Sequence, residues 1–303
     1  MIKRIKTISD FHRLRNLPPP EHPLISVVDV STIRQLHPDE PTKWQVDLYI
    51  IALKRIVDQR KLIYGQSQYD FNEGLMSFIA PHQVFSIVPD LTGELQQSGW
   101  VLLIHPDFLW HTSLAKTIQL YEYFTYQVDE ALFLSPKEET IMDRIAETIQ
   151  QEYQATLDGF SQTIIVAHLE TLLSYADRFY HRQFLTRKKT NHLILARFDE
   201  LVTAYFADNE AASSGLPSVH YVSEHLNISI SYLSRLLKTL TGQTTQQHIH
   251  NKLIEKAKEK LSLTDLSVSA IAYQLGFEHS QSFSKLFKSK TKQSPLEFRQ
   301  HFN

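Results

Sequence analysis

The sequence predicts a mixed α+β chain in two parts: a small β-barrel with accompanying helices, then an all-helical domain with two helix-turn-helix motifs. Short β-rich runs separated by turn clusters fill residues 24–105. Helical periodicity replaces them after His105. Near the C-terminus a pattern of helix, tight turn and helix occurs twice, at an offset of 49 to 50 residues. The boundary is expected between residues 1–185 and 186–303.

Bulk properties narrow the class. At 303 residues, with 42% apolar and 21% charged side chains, the chain can build two cores and is not of disordered composition. No apolar run approaches the ~20 residues of a membrane span. The basic start MIKRIKTISD lacks a following apolar stretch, so no secretory signal is expected. The absence of cysteine rules out disulfides and thiolate metal sites and suits a reducing cytoplasm. Charge is unevenly divided. Residues 1–185 hold 16 Lys/Arg and 23 Asp/Glu, a balance of −7, whereas residues 186–303 hold 15 and 10, a balance of +5. Only the back half is suited to a polyanion.

Taken in order, the chain first runs to LPPPEHP, where successive prolines fix φ and favour an extended arm over the first 23 residues. Strands are expected at LISVVDV, DLYIIALKRI, KLIYG, LMSFIA, VFSIV and GWVLLIH, with HPDEP, YDFNEG and PDLTG between them. That spacing suits a small barrel or double-sheet roll, and no gap has room for a crossover helix. Ser135-Pro136-Lys137-Glu138 reads as a capping box opening a helix with Ile141, Ile145 and Ile149 on one face. Ser161 is expected to cap the next helix. There Ile165, Leu169, Leu172, Ala176 and Phe179 follow a 4-3-4-3 spacing, either packed onto the barrel or, the preferred reading, forming a dimer seam. FLTRKKTN (184–191) reads as a basic connector, residues 190–207 as a helix and NEAASSGLPS (209–218) as a loop. Ser267 and the box Ser294-Pro295-Leu296-Glu297 mark two further helix starts.

In the repeats, Val222, Leu226 and Ile228 match Ile271, Leu275 and Phe277 at an offset of 49. One extra residue in the second turn shifts Leu233-Ser234-Arg235-Leu236-Leu237-Lys238 onto Phe283-Ser284-Lys285-Leu286-Phe287-Lys288. In a helix-turn-helix the second helix enters the major groove. The apolar positions set that helix on its scaffold and turn Ser231, Ser234, Arg235 and Lys238 outward, with Ser280, Gln281, Ser284, Lys285 and Lys288 in the second copy. Arg can bond guanine and Gln adenine in bidentate fashion, while Ser and Lys suit phosphates. A helix through HIHNKLIEKAKEKL joins the copies and can set two such helices about one DNA turn apart, ~34 Å. Matching cations in register, with the change of charge sign, weigh against a merely solvated amphipathic surface.

With these residues laid out, the back half resembles the AraC/XylS family of bacterial transcription regulators. The resemblance rests on Leu226 with Ser229, Tyr232-Leu233-Ser234-Arg235, Lys238 with Gly242, and Leu253, Ala257 and Leu261. It continues through Ile271-Ala272, Leu275-Gly276-Phe277, Phe283-Ser284, Phe287-Lys288, Ser294-Pro295 and Phe298-Arg299. Ser223, Lys252 and Lys292 depart from the usual Ala, Arg and Gly. The front half is similar, through its strand order and GLMSFIAPHQ (74–83), to the family's cupin-like effector or dimerisation domain. The resemblance implies a homodimer that binds double-stranded DNA as activator or repressor, with a small-molecule effector in the barrel and RNA polymerase as a further candidate partner. It also implies base-facing roles for Ser231, Ser234, Arg235, Ser280, Gln281, Ser284 and Lys285.

The alternative class is a cupin-like metal- or substrate-binding enzyme whose helical tail only localises it. His37, His82, His105 and His111 include no pair one residue apart on a strand. His248 and His250 are so spaced, but on a helix they point ~200° apart. His220 and Glu224 share a helix face, for which a surface pair is the ordinary explanation. No phosphate-binding glycine loop or nucleophile elbow occurs. No catalytic residue, metal or cofactor is therefore assigned. Trp44, Tyr49, Tyr69, Phe71, Phe78, His82 and Trp100 are the candidate effector lining, against plain barrel core for the same aromatics.

Overall fold

The computed structural model describes residues 2–33, 43–56, 63–64, 67–68, 74–86, 97–126, 130–156, 158–207 and 210–301. They form two compact units, Met1–Gln183 and Phe184–Asn303.

Among the described residues the first unit carries ten strands: β1 (Ile2–Ile5), β2 (Ile25–Asp29), β3 (Lys43–Val46), β4 (Tyr49–Ile56), β5 (Ile63–Tyr64), β6 (Ser67–Gln68), β7 (Gly74–Ile79), β8 (Val84–Ser86), β9 (Gln97–Ile104) and β10 (Leu132–Leu134). Its helices are α1 (Ile8–Leu14), the short α2 (Leu114–Thr117) and α3 (Pro136–Gln154), and most of α4 (Ser161–Thr186). The strands do not close into one barrel. A three-stranded sheet, β1-β3-β8, and a five-stranded sheet, β10-β7-β4-β9-β2, stand apart, with a small β5-β6 hairpin. Ile5, Trp44 and Val46 of the first sheet share one buried cluster with Val28, Ile50, Ala52, Ile79, Val101 and Leu103 of the second. The double-sheet roll is therefore the arrangement formed, and β1·β3 pairs parallel while every other ladder is antiparallel among the described strands.

The expected extended arm is instead a strand and a helix. Prolines constrain only the stretch from Leu17 onward; before it, Thr7 and Asp10 form a capping box and Ile5, Ile8 and Phe11 are buried at helical spacing. Asp47, in the turn after β3, takes hydrogen bonds from Arg4 Nε at 3.1 Å and from His82 Nδ1 at 3.0 Å. Burial works against its carboxylate, but the bonds and charges of Arg4 and His82 outweigh it and hold its pKa below the usual value.

On the other face of the large sheet, the buried side of α3 presents Met142, Ile145, Ala146, Ile149 and Tyr153. The Ser135–Glu138 capping box forms as expected. Arg55 of β4 donates to Glu139 and Asp143 at 2.5 and 2.6 Å, Trp100 Nε1 to Asp143 at 2.9 Å, and the Gly74 amide to Glu139 at 2.6 Å. Ser161 begins α4 but does not cap it. Asp158 Oδ1 accepts from the amides of Phe160 and Ser161. The 4-3-4-3 stripe of α4 is buried within the chain, Ile165 to Phe179 all at 5% exposure or less. Tyr123 OH donates to the Leu173 carbonyl at 2.9 Å and its ring stacks on Tyr180 at 5.4 Å. A stripe already occupied in this way is not free to form the expected dimer seam.

The second unit contains the last turn of α4, then α5 (Lys188–Ala207), α6 (Glu210–Ser214), α7 (Val219–Leu226), α8 (Ile230–Thr241), α9 (Thr245–Leu263), α10 (Val268–Gln274), α11 (Ser280–Thr291) and α12 (Pro295–Gln300). The segment read as a loop thus includes one short helix, α6. Side-chain caps start most of these helices: Ser218, Ser229, Thr244, Ser267 and Ser294 each accept from an amide three residues on. One core holds the unit together. Leu233 and Leu237 of α8, Ile249, Leu253 and Ala257 of α9, and Phe283 and Phe287 of α11 are all buried in it, with Phe198 and Val202 of α5.

Asn227 and Gly276, equivalent in the repeats, both turn the chain in the left-handed region, at φ 55° and 88°. Only the second requires glycine for packing as well: a Cβ on Gly276 would lie 2.7 Å from the Gly215 carbonyl carbon and 2.8 Å from the Ala211 oxygen. Lys292, standing where Gly242 stands in the first repeat, ends α11 at φ 68°.

Two predictions follow for stability. Gly276→Ala should cost more than about 2 kcal/mol in denaturant unfolding, whereas Lys292→Gly should be neutral or gain up to about 1 kcal/mol. Because the Asp47 pKa is depressed in the fold, its contribution is fully present above the unfolded value and fades as pH falls through the folded one. Asp47→Asn should therefore destabilise the first unit at pH ~7 and make little difference near pH ~2, as read by urea melts at both.

Candidate nucleic-acid interface

Each repeat is a helix pair with its second helix rooted by apolar residues. In the first, α7 leads through Asn227–Ser229 into α8, whose Leu233, Leu236 and Leu237 are at 0% exposure. In the second, α10 leads through Leu275–His279 into α11, rooted by Phe283 and Phe287 at 0%. The rings of Phe277, Phe283, Phe287 and Phe298 contact one another at 5.5 to 5.8 Å, tying α12 to the same base. Helical periodicity then turns the intervening residues to the surface.

The two outward faces differ. On α11, Gln281, Lys285 and Lys288 are exposed, with Ser280 and Ser284 half-buried. His279 starts this helix without a side-chain cap, so its first amides are open to an acceptor. Of the corresponding residues on α8, Lys238 is exposed, while Ser231, Ser234 and Arg235 are half-buried. Ser234 Oγ lies 3.4 Å from Thr245 Oγ1, across the start of α9. Arg235 places Cζ 5.9 Å from the ring of Phe184, which is fully buried and meets Tyr232 edge-on at 5.1 Å. Asn191 donates to the Phe184 carbonyl at 2.6 Å, fixing this corner.

Sequence reasoning missed Phe184, which it placed in a polar connector. Only its ring, the first letter of FLTRKKTN, hinted at burial. It also missed a polar chain beside the second repeat, in which Lys290 Nζ donates to Asn251 Oδ1 at 3.2 Å and Asn251 Nδ2 to Gln243 at 2.9 Å. Lys252, on α9, is engaged by Asp199 at 3.5 Å and Glu255 at 3.7 Å. Arg299 donates to the carbonyls of Leu261 and Leu266, closing the C-terminal end of α9.

Of the expected effector lining, Trp44, Tyr49 and Phe78 are buried in core, Tyr49 and Phe78 against Phe124, while Trp100 is buried on the other face of the large sheet. His82 is exposed and bonded to Asp47, and Tyr69 and Phe71 lie outside the described residues. A polar cleft of about 440 Å³ opens elsewhere, between β9 and α3, with Asp29, Arg55, Trp100, Asp143 and Glu147 among its walls. Among the described residues no group of three or more His, Asp or Glu is placed to hold a metal ion. His105 accepts from the Asp107 amide and His111 stacks on Trp110, so these two do not converge; His37 lies outside the described residues. His220 and Glu224 pair at the surface at 3.2 Å. No described helix is long and apolar enough to cross a membrane.

Residues 222–301 match the model of a helix-turn-helix domain family. A regulator of Bacillus subtilis, the uncharacterised HTH-type transcriptional regulator YfiF, is 30% identical over 160 residues, 53% of this chain and 48% of that protein. The HTH-type transcriptional activator RhaS of Escherichia coli is 38% identical over 79 residues, 26% of this chain and 28% of RhaS. The chain thus spans about half or less of the length of the curated relatives it matches. Among solved structures, the C-terminal domain of AraT, a response regulator from Geobacillus stearothermophilus, aligns with 36% of this chain and 84% of its own at 30% identity and a TM-score of 0.32. The matched stretch holds the two helix pairs from Val222 onward, α9 and the outward residues described above, and over it the chain is similar to HTH-type transcriptional regulators.

Proposed function

We propose that the chain is a cytoplasmic transcription regulator that binds double-stranded DNA sequence-specifically through its second unit and is not an enzyme. The observation that carries this reading is the common rooting of α8 and α11 in one core, with Lys238, Gln281, Lys285 and Lys288 exposed on their outer faces. The 19-residue α9 spans about 28 Å at ~1.5 Å per residue, which supports entry of the two helices into successive major-groove turns. Gln281, Lys285, Arg235, Ser231, Ser234, Ser280 and Ser284 read base edges or fix register, and Lys238 and Lys288 hold phosphates. YfiF, a transcriptional regulator, and RhaS, a transcriptional activator, support this reading by their similarity to the second unit.

The first unit, cupin-like in its two-sheet roll, supplies homodimer contacts and responds to a small-molecule effector. An effector acts by re-setting β1 and α1, or the 184–191 corner that holds Phe184 against Arg235, and so the presentation of α8. RNA polymerase is the further partner when the regulator activates.

The test uses purified full-length protein and fragments selected from genomic DNA by binding. Arg235→Ala should cost about 1–3 kcal/mol and relax preference at one base position. Lys288→Ala should weaken all sequences alike and lower the salt slope by about 1. Anisotropy titrations over a series of salt concentrations read both, and equal affinity for selected and scrambled DNA would overturn sequence-specific binding.

A further inference from the structure

We infer that Asn251 of α9 is a positioning residue for DNA reading: it ties the last turn of α11 to the turn that follows α8, and so fixes the separation at which the two outward faces meet successive grooves. The inference rests on the DNA-binding reading above and adds the device that sets its spacing. Both outward helices end in the same local structure. α8 closes with Thr241-Gly242-Gln243 and α11 with Thr291-Lys292-Gln293, and in each the glutamine amide donates to the threonine Oγ1, at 3.2 and 3.3 Å. The equivalence fails one residue earlier, where Lys290 stands in the place of Leu240. That lysine reaches α9. Its Nζ donates to Asn251 Oδ1 at 3.2 Å, and Asn251 Nδ2 donates in turn to Gln243 Oε1 at 2.9 Å. The charge of Lys290 is felt on α9 by His250 as well, whose pKa is held below its usual value by burial and then by this ammonium.

The two helices are held to α9 unequally. α8 and the turn after it meet α9 at three polar points: Ser234 Oγ lies 3.4 Å from Thr245 Oγ1, Thr241 Oγ1 lies 2.8 Å from His248 Nε2, and Gln243 accepts from Asn251. For α11, the bond from Lys290 to Asn251 is the only side-chain hydrogen bond to α9 among the described residues. The apolar packing beneath α11, through Phe283 and Phe287, is non-directional, and ridges packed into grooves admit a scatter of roughly 15–20° in crossing angle. A hydrogen bond weakens steeply away from its preferred distance and angle. The core therefore chooses which face of α11 points outward, and the polar chain chooses its tilt and its place along α9. A primary amide suits this task because it donates and accepts at once, here to partners from different repeats. Asn251 is half-buried, which limits competition from water, while Gln243 and Lys290 are exposed.

The experiment uses full-length protein and a DNA fragment selected by binding, on which hydroxyl-radical footprinting marks the two contacted segments. Anisotropy titrations compare that duplex with others carrying one base pair more or fewer between the segments. Wild-type protein should bind the altered duplexes about tenfold or more weakly. In Asn251→Ala this ratio should shrink by about fivefold, the worth of one ordinary hydrogen bond, because a loosened α11 can follow the displaced groove. Lys290→Met should shrink it likewise, and Lys290→Arg, which keeps a donor, should restore it. Lys290→Met also serves where Asn251→Ala fails to fold, since Lys290 is exposed. A role in stability alone, or a grip on phosphate, would weaken every duplex alike and leave the ratio unmoved; that result in both variants overturns the inference. Wild-type protein without a spacing penalty overturns it too, while leaving sequence preference intact. Equal wild-type affinity for selected and scrambled DNA removes the DNA-binding reading and this inference together.

Discussion

The second unit depends on one apolar core shared by two helix pairs. Leu233 and Leu237 from the first repeat and Phe283 and Phe287 from the second are at 0% exposure and pack with Ile249, Leu253 and Ala257 of α9. Each such side chain contributes about 1.5–3 kcal/mol on burial, so this packing decides the rotation of α8 and α11 about their own axes. Once that rotation is set, the 3.6-residue period places the polar and cationic residues on the outer faces. The outer surface of both helices is thus a consequence of what lies beneath it.

The repeats share this logic without being equivalent. The α11 face is open, with an uncapped start and three long polar side chains in solvent. The α8 face is partly engaged by its own unit: Ser234 faces Thr245, and Arg235 lies over Phe184 at a corner fixed by Asn191. An arginine held on an aromatic ring has less freedom left to lose on bonding a further partner, but it must keep or exchange the ring contact to do so. The first repeat is therefore the one whose presentation can depend on the chain around residue 184.

The first unit solves a different problem, that of holding a helix on a sheet with charged groups. Arg55 bridges Glu139 and Asp143, and Trp100 and Gly74 satisfy the remaining carboxylate oxygens, so α3 is fixed by a network of paired polar atoms as well as by its apolar face. Lys54, on the opposite face of the same strand as Arg55, has no such carboxylate among the described residues. Neighbouring residues of one strand thus meet opposite electrostatic surroundings, because the pleat sends them to different sides of the sheet.

Sequence alone determined the elements governed by local chemistry. The capping boxes at Ser135 and Ser294, the Ser267 cap, the main strands and both helix-turn-helix pairs follow from periodicity and hydrogen-bonding residues within a few positions, and all of them form. The repeat offset was equally local, and with it the residues on the α11 face. What needed the tertiary structure were the facts set by distant partners. The α4 stripe has the spacing of a helix seam whether it meets a second copy or the interior of its own chain, and only packing shows that it is already covered. Strand order decided that the sheets stay apart, because hydrogen-bond pairing between strands leaves no mark in either strand's own pattern. The same holds for β1 and α1, docked where prolines downstream suggested an arm, and for Phe184, whose partner Arg235 is some fifty residues away in the chain. Periodicity reports which side of an element is apolar; it cannot report what that side will touch.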